Sequence, residues 1–507
     1  MNKTTAARTA PILGYQWDLR PALPCIYGPV EFREYRDQFV QIDTCLLEGG
    51  IESAFLQAAA AEHAAELAGA SPAACERFAR TTVLALRCNL ARVLTGLTYR
   101  DFAVRCAEST LLQWFLRVGE VERVKVPSKS TLKRFSQWVS EETMRPTHLK
   151  LIRQATSAAT AAAPQPLGLT EGIDASEIFF DSTCLKANIH FPTDWVLLRD
   201  AARTLMKATV LIRRAGLKQR MPQEPLQFLS AMNKLAMAMS ASGRRPDAKK
   251  QRKRTLRQMK ALERKILRHA QAHRELLAEH RAETALSAKQ AQVILGRIDN
   301  VLTQLPAAIA QAHERIIGGR PVPNAEKILS LYEPDVAVLK RGKAGADVEF
   351  GNKLWLGETR DGLIVDFALL QDAAADSALV IPAVERLTGP MHLVVKQVWG
   401  DRGLCSLHNE RQLAKRAIKS GLCPRAPAEL QKRLQAEDGF RAGLRRRGGT
   451  EARIAILKHA FAGSPCRAKG FAARTLAVSW AVLAHNLWVL ARLKLAQDRQ
   501  AAEAAAA

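Results

Sequence analysis

The sequence predicts an α/β protein: a ribbon of strands whose first member is cut off from the others by a large helical insertion, behind an all-α N-terminal domain. Three observations predict it. β-Favouring runs occur at 177–187 and again from 328 onward, each bounded by Gly, Pro or Asp. Between them, 195–320 repeats apolar residues at three- and four-residue spacing. Residues 51 to about 160 carry the same helical period, rich in Ala and Leu, and "PQPLGLTEG" separates them from the first strand.

In order along the chain, residues 1–50 mix Pro, Gly and aromatics and read as an irregular arm. Residues 51–163 read as a helical, DNA-binding domain. Inside it, "GLTYRDFAVRCAESTLLQWFLRVG" is followed by "VPSKSTLKRFSQWVS". Pro127-Ser128 signals a helix start, and Leu132, Phe135 and Val139 at helical spacing leave Lys129, Lys133 and Arg134 exposed. Two readings stand for that segment: a small helix-turn-helix-like DNA-binding unit, or a basic surface helix.

"EIFFDSTCLKA" is the first strand. The insertion, 195–320, follows; Leu256, Met259, Ile266, Ala270, His273 and Leu277 predict a long helical hairpin in its middle. Arg244 to Arg274 holds 13 Lys/Arg against Asp247 and Glu263 alone. Strands return in "KILSLYEP", "ADVEFGNKLWLGE" and "GLIVDFALL", with turns at Gly342–Gly345 and Asp361-Gly362. Then come a helix in "DSALVIPAVERLT", a strand in "HLVVKQVWGD", a helix over 407–420, a short strand near "GLCPRAP", and final helices from Thr450 to about 496. The sheet region is thus 164–194 plus 321–496, and 497–507 is an Ala-rich tail. That is a ribonuclease-H-like α/β order, interrupted after its first strand.

Composition narrows the function. The 507 residues carry 75 Lys/Arg against 49 Asp/Glu, a formal charge of +26 that points to a polyanion, most simply nucleic acid. The sequence contains no run of 18 apolar residues and no apolar signal at the N-terminus, and its nine cysteines form no CxxC pair. These features predict a cytoplasmic protein without a membrane span, a zinc site or a disulfide scaffold.

Two aspartates punctuate apolar strands: Asp181 in "IFFDST" and Asp401 in "VVKQVWGDRG". Residues at the carboxyl ends of adjacent parallel strands converge on one crevice, and Gly400 and Gly403 leave Asp401 open. Glu451, in "RRRGGTEARIAILKH", reads as the first turn of a helix that starts after Gly448-Gly449. Each carboxylate has an ordinary alternative: Asp181 a cap, Asp401 a turn residue, Glu451 a complement to the helix dipole. Together, on strand, strand and helix in a basic protein, they suit Mg²⁺, a hard cation with oxygen ligands. Two such ions serve phosphoryl transfer by activating one oxygen and stabilising another. Lys458 shares a helix face with Glu451, and Arg447 precedes it by four residues, so both are candidates for phosphate contacts.

At these residues the sequence resembles the DDE transposases of bacterial insertion sequences. R-x3-E-x6-K at Arg447, Glu451 and Lys458 is similar to the tyrosine–arginine–glutamate–lysine signature of one large group, with Leu444 where that signature carries tyrosine. "DSTCLKANIHFPTDWVLLRDAARTL", "VEFGNKLWL", "VWGDRG" and "TEARIAILKHAF" also resemble segments of such enzymes, so the likeness covers about 95–495. It implies a ribonuclease-H-like core with Asp181, Asp401 and Glu451 as catalytic and metal-binding triad. It implies two Mg²⁺ ions, replaceable by Mn²⁺, and cleavage and strand transfer at the element's own ends. The implied partners are double-stranded DNA, as terminal inverted repeats and as target, bound by a homodimer at the bacterial nucleoid. Only 50 residues separate Asp401 from Glu451, against 220 between the aspartates. There is little room for the β-rich insertion that handles hairpin intermediates in some relatives. A catalytically inactive DNA-binding descendant and a nuclease on the same core are the alternatives.

Overall fold

The computed structural model describes residues 20, 22–119, 123–158, 164–243, 247–343, 346–372 and 374–506. Arg244, Arg245, residues 1–19 and 21 of the proposed N-terminal arm and part of the Gly342–Gly345 turn lie outside the described residues. Among those described, 17 α-helices surround one six-stranded mixed sheet.

The sheet is built on β1, Glu177–Lys186, which is apolar on both faces because both are covered, and is interrupted by Asp181, Ser182 and Thr183 at its middle. β2 (Ala337–Lys343) and β4 (Ile364–Leu370) both pair with β3 (Ala346–Thr359), along the first and second halves of its outer edge. β3 lies antiparallel to β1 on its inner edge, with Asp181 opposite Leu356. On the other side of β1, β5 (Gln397–Gly400) and then β6 (Lys419–Leu422) run parallel to it. The order is therefore β2/β4, β3, β1, β5, β6, with the insertion between β1 and β2.

Period-2 alternation divides β1 between two layers. Ile178 and Phe180 face the N-terminal helices and share one core with Leu86, Phe115 and Leu151. The N-terminal domain is thus packed directly on the sheet. Phe179, Asp181, Thr183 and Leu185 face the other way, towards the helix Phe440–Ile456 and the wide helical turn Leu457–Ala462 that continues it. The C-terminal helix, Phe471–Ala506, is long and apolar enough to cross a membrane by length and composition, but 78% of its apolar window is buried. It is apolar all round because the N-terminal helices and the sheet both cover it, so no membrane span is required. Asn486 on this helix accepts from the Ile364 amide and donates to the Ile364 carbonyl, satisfying the start of β4.

The insertion is a four-helix bundle, Asp194–Arg214, Pro225–Ala241, Ala248–His280 and Ala288–Ala312, with its own apolar core. All six residues of the expected seam, Leu256 to Leu277, are buried. Its base is closed by Asp194, which accepts from Gln311 and pairs with Arg315 at 2.8 Å. Both ends of the bundle therefore meet at one point of the sheet.

Several expectations are corrected. The region expected to be an irregular arm contains the helix Val30–Leu47, held by Phe39, Ile42 and Leu46 in the main core. "KILSLYEP" forms no strand: Leu331 packs into the insertion and buried Glu333 pairs with Arg474, so its side chains are used in two directions. The strand in "HLVVKQVWGD" shortens to four residues, because Lys396 and Gln397 both donate to the Ser176 carbonyl and pairing starts only there. β2 was not foreseen. The Ala-rich tail continues the last helix to Ala506, as Ala propensity favours. The helix-turn-helix expectation also changes. Lys129–Phe135 has seven residues, and a loop with a Gly119–Val124 bridge separates it from Thr110–Leu116 in place of a tight turn.

Candidate active site

The two aspartates are placed by register. Phe179 on β1 is paired with Trp399 on β5, and their rings stack at 6.0 Å with 8° between planes. Two residues on along each parallel strand, on the same face, stand Asp181 and Asp401. β5 ends at Gly400, so Asp401 sits at the lip of the sheet while Asp181 lies within β1. Asp401 Oδ1 accepts from the Gly403 and Leu404 amides at 2.9 and 3.2 Å. The turn role considered for Asp401 is thus real, and it fixes the carboxylate's position. Arg425 braces the same loop by donating to the carbonyls of Arg402 and Gly403.

Glu451 arrives by a different route from the one its sequence suggests. The helix does not start after Gly448-Gly449; it runs through both glycines from Phe440 to Ile456. Two interior glycines cost roughly 1 kcal/mol each relative to Ala. Packing offsets that cost. Phe440 lies 5.8 Å from Trp399, and Gly443 lets the helix press onto the same ring, since a Cβ there would fall 2.0 Å from it. Further on, Glu358 of β3, 1% exposed, accepts from Thr450 and pairs with Arg446 and Arg453. Ile454 and Leu457 then enter the core beneath β1 and β3. Gly443, Arg447 and Glu451 follow at four-residue steps along one face. Glu451 therefore lies towards the carboxyl end of its helix, where a negative charge gains nothing from the dipole. The dipole explanation for this glutamate fails.

Electrostatics ties the three together. The Asp181 carboxyl is pushed up to about 6, by burial first and then by the charges of Asp401 and Glu451, against the opposing Ser182 amide and Arg447. Arg447 pairs with Glu451 at 3.5 Å. Lys458 donates to Thr183 Oγ1 at 3.2 Å, two residues beyond Asp181 on the same face of β1. Asp181, Asp401, Glu451, Arg447 and Lys458 are thus brought to one region. Lys129, Lys133 and Arg134 are not: they are exposed on a helix of the N-terminal domain that packs on its neighbours through Leu132 and Phe135. Among the described residues, no three Asp, Glu, His or Cys side chains close around a common point as a metal shell would. Glu451 is turned to Arg447, and one oxygen of each aspartate is occupied by backbone amides. The donor chemistry nevertheless fits a hard cation: the oxygens are all carboxylate, and the mutual repulsion felt at Asp181 is what a bound cation relieves.

Sequence reasoning missed Glu358, Thr450, Arg453 and the Phe179–Trp399–Phe440 stack that carry the helix. Glu358 looks like any polar strand residue until the helix above it is placed. Leu444, at the position where the resemblance expects tyrosine, packs half-buried in that stack. The basic stretch 411–447 is partly neutralised: Arg416, Lys419, Arg433, Arg446 and Arg447 all have carboxylate partners. No family model, curated protein or solved structure matched the chain.

Proposed function

We propose that this protein is a metal-dependent DNA transposase of the DDE kind, cutting and joining strands at the ends of its element. The observation that carries the reading is the gathering of Asp181, Asp401 and Glu451 from strand, strand and helix onto one sheet face, with Arg447 and Lys458 beside them. The strand order supports a ribonuclease-H-like core: β3 alone is antiparallel to β1 among the strands β4, β3, β1, β5 and β6. Asp181, Asp401 and Glu451 would hold Mg²⁺ or Mn²⁺, which when bound supplies charge neutralisation at a phosphodiester and eases ionisation of the attacking hydroxyl. Arg447 and Lys458 would orient the phosphate, Arg447 exchanging its pairing with Glu451 for that phosphate. The net charge of +26 draws the duplex to the protein.

The test uses duplexes from the DNA flanking the reading frame, incubated with the full chain and Mg²⁺ or Mn²⁺. The reading expects cleavage at an inverted repeat and joining of the freed 3′ end to a second DNA. Cleavage without joining would make the protein a nuclease. Binding without cleavage in either cation would make it a DNA-binding descendant.

A further inference from the structure

The helix Ala248–His280 has two unlike sides. Leu256, Met259, Glu263, Ile266, Ala270, His273 and Leu277 form its buried seam. At 100° per residue, Lys250, Arg254, Arg257, Ala261, Arg264, Lys265 and Arg268 fall on the opposite side, and all seven are exposed. None of the six cations makes an ion pair or a side-chain hydrogen bond among the described residues. Elsewhere on the same bundle cations do find partners, as in Arg274–Asp299 and Arg213–Glu224. Between Ala248 and Arg274 the only acid is Glu263, and it is buried away from the stripe. Like charges at three- and four-residue spacing repel one another, so this arrangement destabilises the helix unless an anion covers it.

We infer that this stripe is a docking track for the sugar–phosphate backbone of duplex DNA, separate from the carboxylate site and read without regard to sequence. Its length, Lys250 to Arg268, is about 27 Å at the helical rise, and its cations form two groups, Lys250–Arg254–Arg257 and Arg264–Lys265–Arg268, about 10 Å apart across Ala261. Two such groups on one line can span successive phosphates along a groove edge, where charge is dense. The stripe carries no aromatic side chain, so it offers nothing for bases of a single strand to stack on. It carries no exposed Leu, Ile, Val or Phe, so it has no apolar face to enter a lipid surface. Position supports the assignment. The bundle leaves the sheet from the carboxyl end of β1, and Asp401 follows the carboxyl end of the parallel strand β5. A duplex on the stripe is therefore held by a bundle rooted at the carboxylate end of the sheet. The choice of DNA rests on the transposase reading above.

The test is the combined variant Arg254→Ala, Arg257→Ala, Arg264→Ala, Arg268→Ala in the full chain, beside a version with Lys at the same four positions. Binding to a 40-base-pair duplex is measured against salt, on flanking DNA and on a scrambled sequence. The Ala variant should keep its helical signal and melt no lower than the parent. Its salt slope should flatten by roughly 3–4 on both sequences, while the Lys version binds as the parent does. An unchanged slope in the folded Ala variant would overturn the track. So would a loss confined to single-stranded RNA or to anionic vesicles. A parent protein that binds in this way but never cleaves would sink the transposase reading and leave the track standing; cleavage with an unaffected slope would do the reverse.

Discussion

At the scale of single residues, Asp181 is the most informative side chain. Its carboxyl titrates at about 6 because it is buried and faces two other carboxylates. Folding therefore binds its proton more tightly than the unfolded chain does. The stability this contributes is complete below about pH 4 and is lost as pH rises through about 6. Without divalent cations, Asp181→Asn should melt at the same temperature as the parent near pH 4. By pH 8 it should melt higher, by an amount on the order of 1–3 kcal/mol. Thermal melts across that range check this, and parallel curves would show that Asp181 is not strained by its neighbours. Glu451 makes a second case. Its side chain is 59% exposed and its pairing partner is Arg447, so Glu451→Gln should change stability by less than about 1 kcal/mol. Cleavage should nonetheless fall below detection. A variant that cuts normally would reduce Glu451 to a surface residue.

At the scale of elements, the Phe440–Ile456 helix decides whether a site exists. Gly443→Ala puts a methyl group into the Trp399 ring. Overpacking of this kind costs about 1–3 kcal/mol. Here it should also lift Glu451 away from the sheet and lower cleavage more than stability. Trp399→Phe frees that space and should partly restore both in the double variant. If Gly443→Ala is silent in melts and cleavage, the helix is not seated by that contact. Glu358→Gln leaves Arg446 and Arg453 without their buried counter-charge, with an expected loss of roughly 3 kcal/mol. This helix also marks the limit of what the sequence discloses. "IFFDSTCLK" reads as a strand locally, because its β-branched and aromatic run needs no partner to be recognised. The helix through Gly448-Gly449 could not be read, because its stability lies in Trp399 and Glu358, distant in sequence. For the same reason β2 was invisible, since "AVLKRGK" becomes a strand only against β3. Asp181 and Asp401 stood out because each ends or interrupts an apolar run, whereas Glu451 stood out through a helix start that the structure does not have, and the salt-bridged anchor under it could not be read.

At the scale of the whole molecule, the insertion and the sheet have separate apolar cores, and Asp194 with Arg315 closes the base of the insertion on itself. Replacing 194–318 by a short Gly/Ser linker should therefore leave a folded sheet whose melting temperature still responds to Mn²⁺. Binding to flanking DNA should weaken and lose salt dependence. Cutting only 240–310 should do worse, because it strips the partners from Leu198, Leu205 and Ile212 in the first insertion helix. A truncated protein that binds and cleaves as before would make the bundle a spacer. The proposed chemistry requires that three carboxylates far apart in the chain act as one cation-binding centre. Mn²⁺ titration by calorimetry, on the parent and on Asp181→Asn, Asp401→Asn and Glu451→Gln at pH 5.5 and 7.5, tests it most directly. Each substitution should weaken Mn²⁺ binding at least tenfold, and the parent should bind more tightly at pH 7.5, where Asp181 has lost its proton. Equal Mn²⁺ affinity in the parent and all three variants would contradict it.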